Sequence, residues 1–308
     1  MNKLDKINEL KAEIQSLKNA IQHTGDTREQ LELETKLYEK KIEINNLILE
    51  NKQKRAGMSA RDLLSKKLKE PIYYETSISA IDNKLKGIPL GSFVQIGASS
   101  GAGKTTLILK ILSVFSNNMK VVHFDFEMGD YKLARKLHKL LKTDTQKDNY
   151  IVDFESYRLD DLIREIEIYS LEGVKFFVID SRMKIQTNDK DMYLSTAKIS
   201  SELQRLCREN NITIMLINQM SEESLKAGRP ALKGGNDQFY DADIVIFLGK
   251  PIVKKGQNGD FDETDSSKRF LIVAKNRFGD EYKAEIFRSE VEPHEVKVNE
   301  YQVDMAKI

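Results

Sequence analysis

The chain is poor in cysteine and has no long apolar run. Cys207 is the single cysteine among 308 residues, so no disulfide can close within the chain. In its helical stretch it reads as a small, partly buried apolar side chain, and a reducing cytoplasm is the expected compartment. The absence of any stretch of about eighteen apolar residues excludes a membrane-spanning helix and a membrane partner. The opening "MNKLDKINELKAEIQ" is charged throughout and has no signal-peptide core. An excess of one charge is also missing. Lys and Arg number 49 against 48 Asp and Glu, which excludes a globally basic nucleic-acid coat and leaves room for a local basic channel.

Three regions differ in texture. Residues 1–55 lack proline and almost lack aromatics, and Ile7, Leu10, Ile14, Leu17 and Ile21 are spaced three and four apart, as on one helix seam. "HTGDTREQ" then interrupts: Gly25 can end one helix, and Asp26 or Thr27 can cap the next. The region reads as a helical hairpin or short coiled coil that joins subunits. A hairpin this thin needs a partner helix or a neighbouring subunit over its apolar stripe. Residues 56–71 read as a linker, with Ser59 capping a short helix "ARDLLSKKL" that Pro71 stops. Residues 72–308 alternate apolar runs with amphipathic stretches. "SFVQIGA", "KVVHFDFE", "KFFVIDS", "ITIMLINQ" and "ADIVIFLG" read as strands, and the segments between them as helices. Near-continuous apolar strands are covered on both faces, so the expected fold is α/β with a mostly parallel sheet flanked by helices. "KRFLIVAKNR" and "KAEIFR" read as a hairpin added at the sheet edge.

The segment "GASSGAGKTT", residues 97 to 106, carries the chemistry. It matches G-x-x-x-x-G-K-[ST], except that Ala98 stands where the first Gly is usual, with Gly97 just before it. A strand precedes and a helix follows. Backbone N–H groups of such a loop turn inward around phosphate oxygens at the positive end of a helix. Ala98, Ser99, Ser100, Gly101, Ala102, Gly103, Lys104, Thr105 and Thr106 are therefore expected to hold the nucleotide, ATP. Lys104 would reach the β- and γ-phosphates. Thr105 would hold Mg²⁺, together with Asp180 at the end of "KFFVIDS", where ligands collect in such sheets. Glu127, just beyond "VVHFDF", would orient the attacking water, with Asp125 as its rival.

These residues resemble a family. "TSISAIDNKLKGIPLGSFVQIGASSGAGKTT" resembles the entry into the RecA-fold ATPase core, and "FDFEMGDYKLARKL" looks like the segment that carries the catalytic glutamate in DnaB-type hexameric replicative helicases. "IMLINQM" is similar to the strand whose terminal glutamine senses the γ-phosphate, which implies that role for Gln219. The K-x-R-x-G signature of the DnaB-type hairpin maps onto Lys275, Arg277 and Gly279, and the resemblance implies that the two cations reach a neighbour's ATP. The likeness spans roughly residues 72 to 290 and leaves out the N-terminal region, where the DnaB-type helicases carry a globular domain that contacts primase. "LINQM" and "GGNDQFYDAD" are also similar to RecA recombinases.

A motor of this kind grips a nucleic-acid backbone with loops that follow the sheet strands. "SEESLKAGRPALKGGNDQ" carries Lys226, Arg229 and Lys233 at spacings of three and four, the expected contacts to single-stranded DNA. The resemblance implies an ATP-driven DNA helicase that forms a homo-oligomeric ring, a hexamer in that family, with primase as a possible further partner. The alternatives are a RecA-like recombinase that forms filaments on single strands, or a KaiC-like regulatory ring.

Overall fold

The computed structural model describes residues 3–49, 57, 59–65, 70–98, 101–220, 231–233, 237–249 and 268–287. The chain separates into two compact units, residues 1–70 with 164–173, and residues 71–163 with 174–308.

In the first unit, α1 (Lys3–His23) and α2 (Thr27–Leu49) pair as a hairpin. The turn follows from its residues. Asp26 Oδ1 accepts the N–H groups of Arg28 and Glu29, at 2.8 and 3.3 Å, and so caps α2. Ile7 and Leu10 of α1 bury against Ile44 and Ile48 of α2, and Ile14 packs on the edge of that cluster. The stripe is covered from within the chain: Ile168 completes the cluster, with Leu171 packed against it. Both come from α8 (Leu159–Leu171), whose residues from 164 onward belong to this unit. Lys40–Glu13 at 2.7 Å and Lys11–Glu165 at 3.0 Å flank the apolar seam. The short helix α3 (Ala60–Ser65) starts where Ser59 Oγ accepts the N–H of Asp62 at 3.1 Å; Leu68 lies outside the described residues.

The second unit is built on an eight-stranded sheet. Its strands are β3 (Phe93–Ala98), β4 (Val121–Asp125), β5 (Tyr150–Asp153), β6 (Phe176–Asp180), β7 (Thr213–Gln219), β8 (Ile244–Gly249), β9 (Lys268–Asn276) and β10 (Tyr282–Phe287). The order is β10-β9-β8-β3-β7-β6-β4-β5. The six strands from β8 to β5 run parallel, and β9 and β10 add antiparallel at the edge, as the sequence predicts. A two-stranded ribbon, β1 (Tyr73–Tyr74) and β2 (Ile88–Pro89), brackets α4 (Ser79–Leu85). The central strands are buried along their length, save for Gln219 at the end of β7, which accounts for their unbroken apolar character. The core joins them to α5 (Lys104–Phe115), which buries Leu107, Ile108, Ile111, Leu112 and Phe115. Helix α9 (Met192–Asn210) starts where Asp191 accepts the N–H groups of Tyr193 and Leu194. Helices α6 (Asp130–Leu140), α7 (Asp144–Asn149) and α10 (Asp237–Asp241) complete the described elements. The fourth strand ends at Asp125 instead of running on to Glu127. There the Asp125 side chain accepts the N–H groups of Glu127 and Met128, at 3.0 and 2.9 Å, and turns the chain.

Candidate active site

In a parallel sheet, ligands collect beyond the carboxyl ends of the strands. Ala98, Asp125, Asp180 and Gln219 each end a strand, and the register lines them up: Ala98 pairs with Gln219, and Asp125 with Asp180. Gly101 and Gly103 turn the chain out of β3 with φ of 70° and 105°, values that favour glycine. α5 then begins at Lys104, so its first N–H groups face the space the loop encloses. A cavity of about 380 Å³ lies there, lined by residues 101–107 and by Glu127, Lys136, Leu248, Arg269 and Ile286. Ser99 and Ser100 lie outside the described residues. Gly97 has a separate reason to be glycine. A Cβ there would stand 2.6 Å from Leu232 and 2.8 Å from Phe247.

Thr105 Oγ1 donates to Asp180 Oδ2 at 2.9 Å. Asp180 is fully buried, and among the described residues its Oδ1 has no hydrogen-bond partner. Burial, opposed by the Thr105 hydrogen bond and aided by Glu127 and Asp125, raises its pKa to about 6. A buried carboxylate oxygen with no partner, beside a hydroxyl and a phosphate-type loop, fits a divalent cation. Mg²⁺ takes one or two protein oxygens and fills its other positions with water and substrate phosphate. Among the described residues no cluster of three or more His, Cys, Asp or Glu could hold a metal by itself.

Of the two acidic rivals, Glu127 lines the cavity, while Asp125 is buried and occupied with the turn. Glu127 Oε1 accepts from the Ser181 hydroxyl at 2.6 Å. The sequence reading passed over Ser181, Lys136 and Arg269. Arg269 has a legible signal: it is buried on the same face of β9 as Leu271 and Val273, and a charge on an apolar stripe stands out. Its Nε donates to Ala102 O at 3.2 Å, which ties β9 to the phosphate loop.

Gln219 ends β7 beside Ala98, and the chain beyond it is pinched at its base. Met220 bridges Leu232, and Lys233 N donates to Gln219 O at 2.9 Å. Lys233 is exposed; Lys226 and Arg229 lie outside the described residues.

Lys275 and Arg277 lie at the other end of the sheet. Lys275 pairs with Val245 near the amino end of β8, and Arg277 N donates to Asp243 O. Asp243 in turn is bonded to Phe93, the first residue of β3. The length of β3 separates these cations from the phosphate loop, roughly 16 Å at about 3.3 Å per residue. Both converge on the carbonyl end of α10: Lys275 Nζ donates to Phe239 O and Tyr240 O, and Arg277 Nη2 donates to Tyr240 O. Arg277 also pairs with Asp243 at 2.9 Å and keeps 42% of its side chain exposed.

Comparison with known proteins places the chain. An AAA domain family model matches residues 70–224, half of the chain. The chain belongs to this AAA domain family. It is 29% identical over 210 residues to the replicative DNA helicase DnaB of Helicobacter pylori, a match that covers 56% of this chain and 43% of that protein. It is 26% identical over 226 residues to the DNA repair protein RadA of Rickettsia typhi, covering 71% of this chain and 45% of that one. The chain thus spans less than half the length of these relatives. Among solved structures, a DnaB-like replicative helicase described with its primase interactions superposes with a TM-score of 0.60 at 17% identity, over 90% of this chain and 73% of that one. A KaiC-like protein of Pyrococcus horikoshii superposes at 0.55 and 18% identity, over 75% of this chain and all of that one. The fold is RecA-like, and the proteins the chain is similar to include a replicative DNA helicase and a DNA repair protein.

Proposed function

We propose that the chain is an ATP-driven motor of the DnaB type, a ring of identical copies that moves on single-stranded DNA and hydrolyses ATP at the boundaries between copies. The observation that carries this reading is the separation of the site into two half-sites. The phosphate loop, Thr105, Asp180 and Glu127 gather at one end of the sheet, and Lys275 and Arg277 at the other. Within one copy these cations cannot meet the phosphates held by the same chain. Between copies stacked head to tail they can.

In each half-site the residues take distinct work. Lys104 binds the β- and γ-phosphates, and the N–H groups at the start of α5 hold the phosphate oxygens. Thr105 and Asp180 would hold Mg²⁺, which would supply charge that neutralises the phosphates. Glu127 orients a water and takes its proton as the oxygen attacks the γ-phosphorus; the bond to the ADP oxygen breaks and inorganic phosphate leaves. Ser181 fixes the Glu127 carboxylate for that step. Arg277 and Lys275 of the adjoining copy stabilise charge that develops on the transferring phosphoryl group. Gln219 reports loss of the γ-phosphate to the chain beyond β7, whose Lys226, Arg229 and Lys233 hold DNA phosphates without base readout. The helical hairpin of residues 1–55 serves pairing between subunits, and the chain between it and the ATPase region serves as linker. Primase is a possible partner, as in the DnaB-like structure.

A RecA-like recombinase is the second reading, favoured by the RadA relative. A forked-duplex assay separates them. Strand separation that requires a single-stranded tail supports the motor. Homologous strand exchange without unwinding supports the recombinase. ATP turnover indifferent to DNA supports a KaiC-like regulatory ring and removes the motor. Mass measurement with and without ATP and single-stranded DNA checks the assembly.

A further inference from the structure

Arg182 is buried, and among the described residues it has no carboxylate partner. Its guanidinium is spent on neutral groups. Nε donates to Asn218 Oδ1 at 2.9 Å, Nη1 to Thr196 Oγ1 at 2.6 Å, and Nη2 to Lys233 O at 3.0 Å, with Met183 Sδ at 2.8 Å. Taking a charge out of water with no opposite charge beside it opposes folding, so packing alone is a poor reason for an arginine here. Its neighbours in sequence show what it adjoins. Asp180 holds Thr105, Ser181 holds Glu127, and Arg182 holds the return arm of the chain that leaves β7. Three consecutive residues thus tie the first turn of α5, the cavity carboxylate and the arm at Lys233 to one short segment, the 3-10 turn Arg182–Lys184 and the strand end before it.

The arm is held by more than Arg182. Gln238 Nε2 donates to the same Lys233 O at 2.9 Å, and Lys233 N donates to Gln219 O. Asn218 is in turn fixed by Gln95, to which its Nδ2 donates at 2.8 Å, and Gln95 Nε2 donates to Gln238 O at 2.7 Å. The result is a buried polar path from the middle of β3 to the base of the loop. Buried hydrogen bonds joined in series polarise one another, so the members of this network are coupled and shift together.

We propose that Arg182 is the positioning residue through which DNA held by the chain beyond β7 sets the readiness of Glu127 for hydrolysis. The inference rests on the DNA-motor reading and adds the connection that reading lacks. A pull on the arm at Lys233 moves the guanidinium, the guanidinium moves its own backbone, and the adjoining Ser181 hydroxyl turns the Glu127 carboxylate toward or away from the water.

The test uses the full chain with Mg²⁺ and a thymidine homopolymer as the single-stranded DNA. ATP turnover is measured across a DNA titration, and DNA affinity in parallel by fluorescence anisotropy, for the wild type, Arg182→Met, Arg182→Lys and Thr196→Val. Arg182→Met is expected to bind DNA within about threefold of the wild type while the stimulation factor falls at least about fivefold, the low end of ordinary coupling between sites. Arg182→Lys keeps one of the hydrogen bonds and an intermediate factor. Thr196→Val removes one acceptor, leaves the guanidinium in place and shifts the factor the same way by less; with Arg182→Lys it decides the matter if Arg182→Met fails to fold. Stimulation equal to the wild type in these variants overturns the inference and leaves the motor reading standing. So does a parallel fall of rates with and without DNA, since that is what a merely structural residue gives. A wild type whose turnover ignores DNA overturns both.

Discussion

Thr105 Oγ1 and Asp180 Oδ2 stand 2.9 Å apart, a hydrogen bond between residues 75 positions apart in the chain. It fixes the first turn of α5 against the end of β6, and it leaves the other Asp180 oxygen buried without a hydrogen-bond partner among the described residues. Burying the ionised carboxylate in this way opposes folding. With its pKa raised from 3.8 to about 6, the stability contributed by the protonated form is present below pH 3.8 and lost as the pH rises through about 6. Asp180→Asn keeps an acceptor for Thr105 and never ionises. At pH 8 without metal the variant should melt higher than the wild type, by up to about 3 kcal/mol. Its Mg²⁺ affinity with nucleotide should fall at least about 10-fold, and turnover with it. Calorimetry and a Mg²⁺ titration read the two effects. A variant that melts lower and still turns over would show that Asp180 braces the fold and holds no metal.

The opposite placement of Arg277 and the phosphate loop leads to a mixing experiment. Arg277→Ala should bind nucleotide normally, since among the described residues the Arg277 side chain is bonded to Asp243 and Tyr240 and to no residue of the phosphate loop. Turnover should fall by about 10³-fold or more if the arginine acts on a neighbour's phosphates. Glu127→Gln should be equally inactive by itself. Mixed together, the two restore boundaries that carry an intact Glu127 on one side and an intact Arg277 on the other. Recovered turnover in the mixture is the expected result. None at any ratio sinks the action in trans.

Much of this was legible in the residues. Gly101, Gly103, Lys104 and Thr105 declare a phosphate loop because few other uses explain that spacing, and the apolar runs of β3, β6 and β7 declare buried parallel strands. The start of helix α9 is set by a single cap, Asp191. The weak strand "YIVD" and the small helices near it carry too little periodicity to stand out. Ser181 and Arg182 were invisible for a different reason. Their meaning lies in partners far along the chain, Glu127 for one and Asn218 and Lys233 for the other, and no local pattern encodes those meetings. The seam at Ile7 and Leu10 was plain, but its cover, Ile168, lies outside the hairpin sequence altogether.

His123 offers a clean acid probe. It is fully buried on β4, bonded through Nδ1 to the Tyr150 hydroxyl at 3.1 Å, and among the described residues its Nε2 has no partner. Burial lowers its pKa from 6.5 to about 3. A folded-state pKa below the unfolded one means stability present above pH 6.5 and lost as the pH falls from there toward about 3. The slope is at most about 1.4 kcal/mol per pH unit. Asp180 contributes the opposite slope between about 6 and 3.8, so the comparison must be with a variant. His123→Gln, which does not titrate, should lose less stability than the wild type between pH 6.5 and 4 in urea unfolding. Parallel curves would mean that water reaches the ring.

The helical hairpin makes a prediction about which segments open together. Ile44 is buried in the cluster that contains Ile7, Leu10, Ile48 and Ile168. Ile44→Ala removes apolar volume from a small core with little to collapse into it, a loss of about 2–5 kcal/mol. Residues 164–173 belong to the same compact unit as the hairpin, so the loss should be shared by them. Arg164, whose Nε donates to Asn45 Oδ1 at 3.0 Å, ties that stretch directly to α2. Hydrogen exchange should therefore accelerate in α1, in α2 and in residues 164–171 alike, while β3, β6 and β7 keep their protection. Acceleration confined to α1 and α2 would show that the hairpin opens by itself and that Ile168 finds other cover. Acceleration through the sheet would show that the chain unfolds as one body.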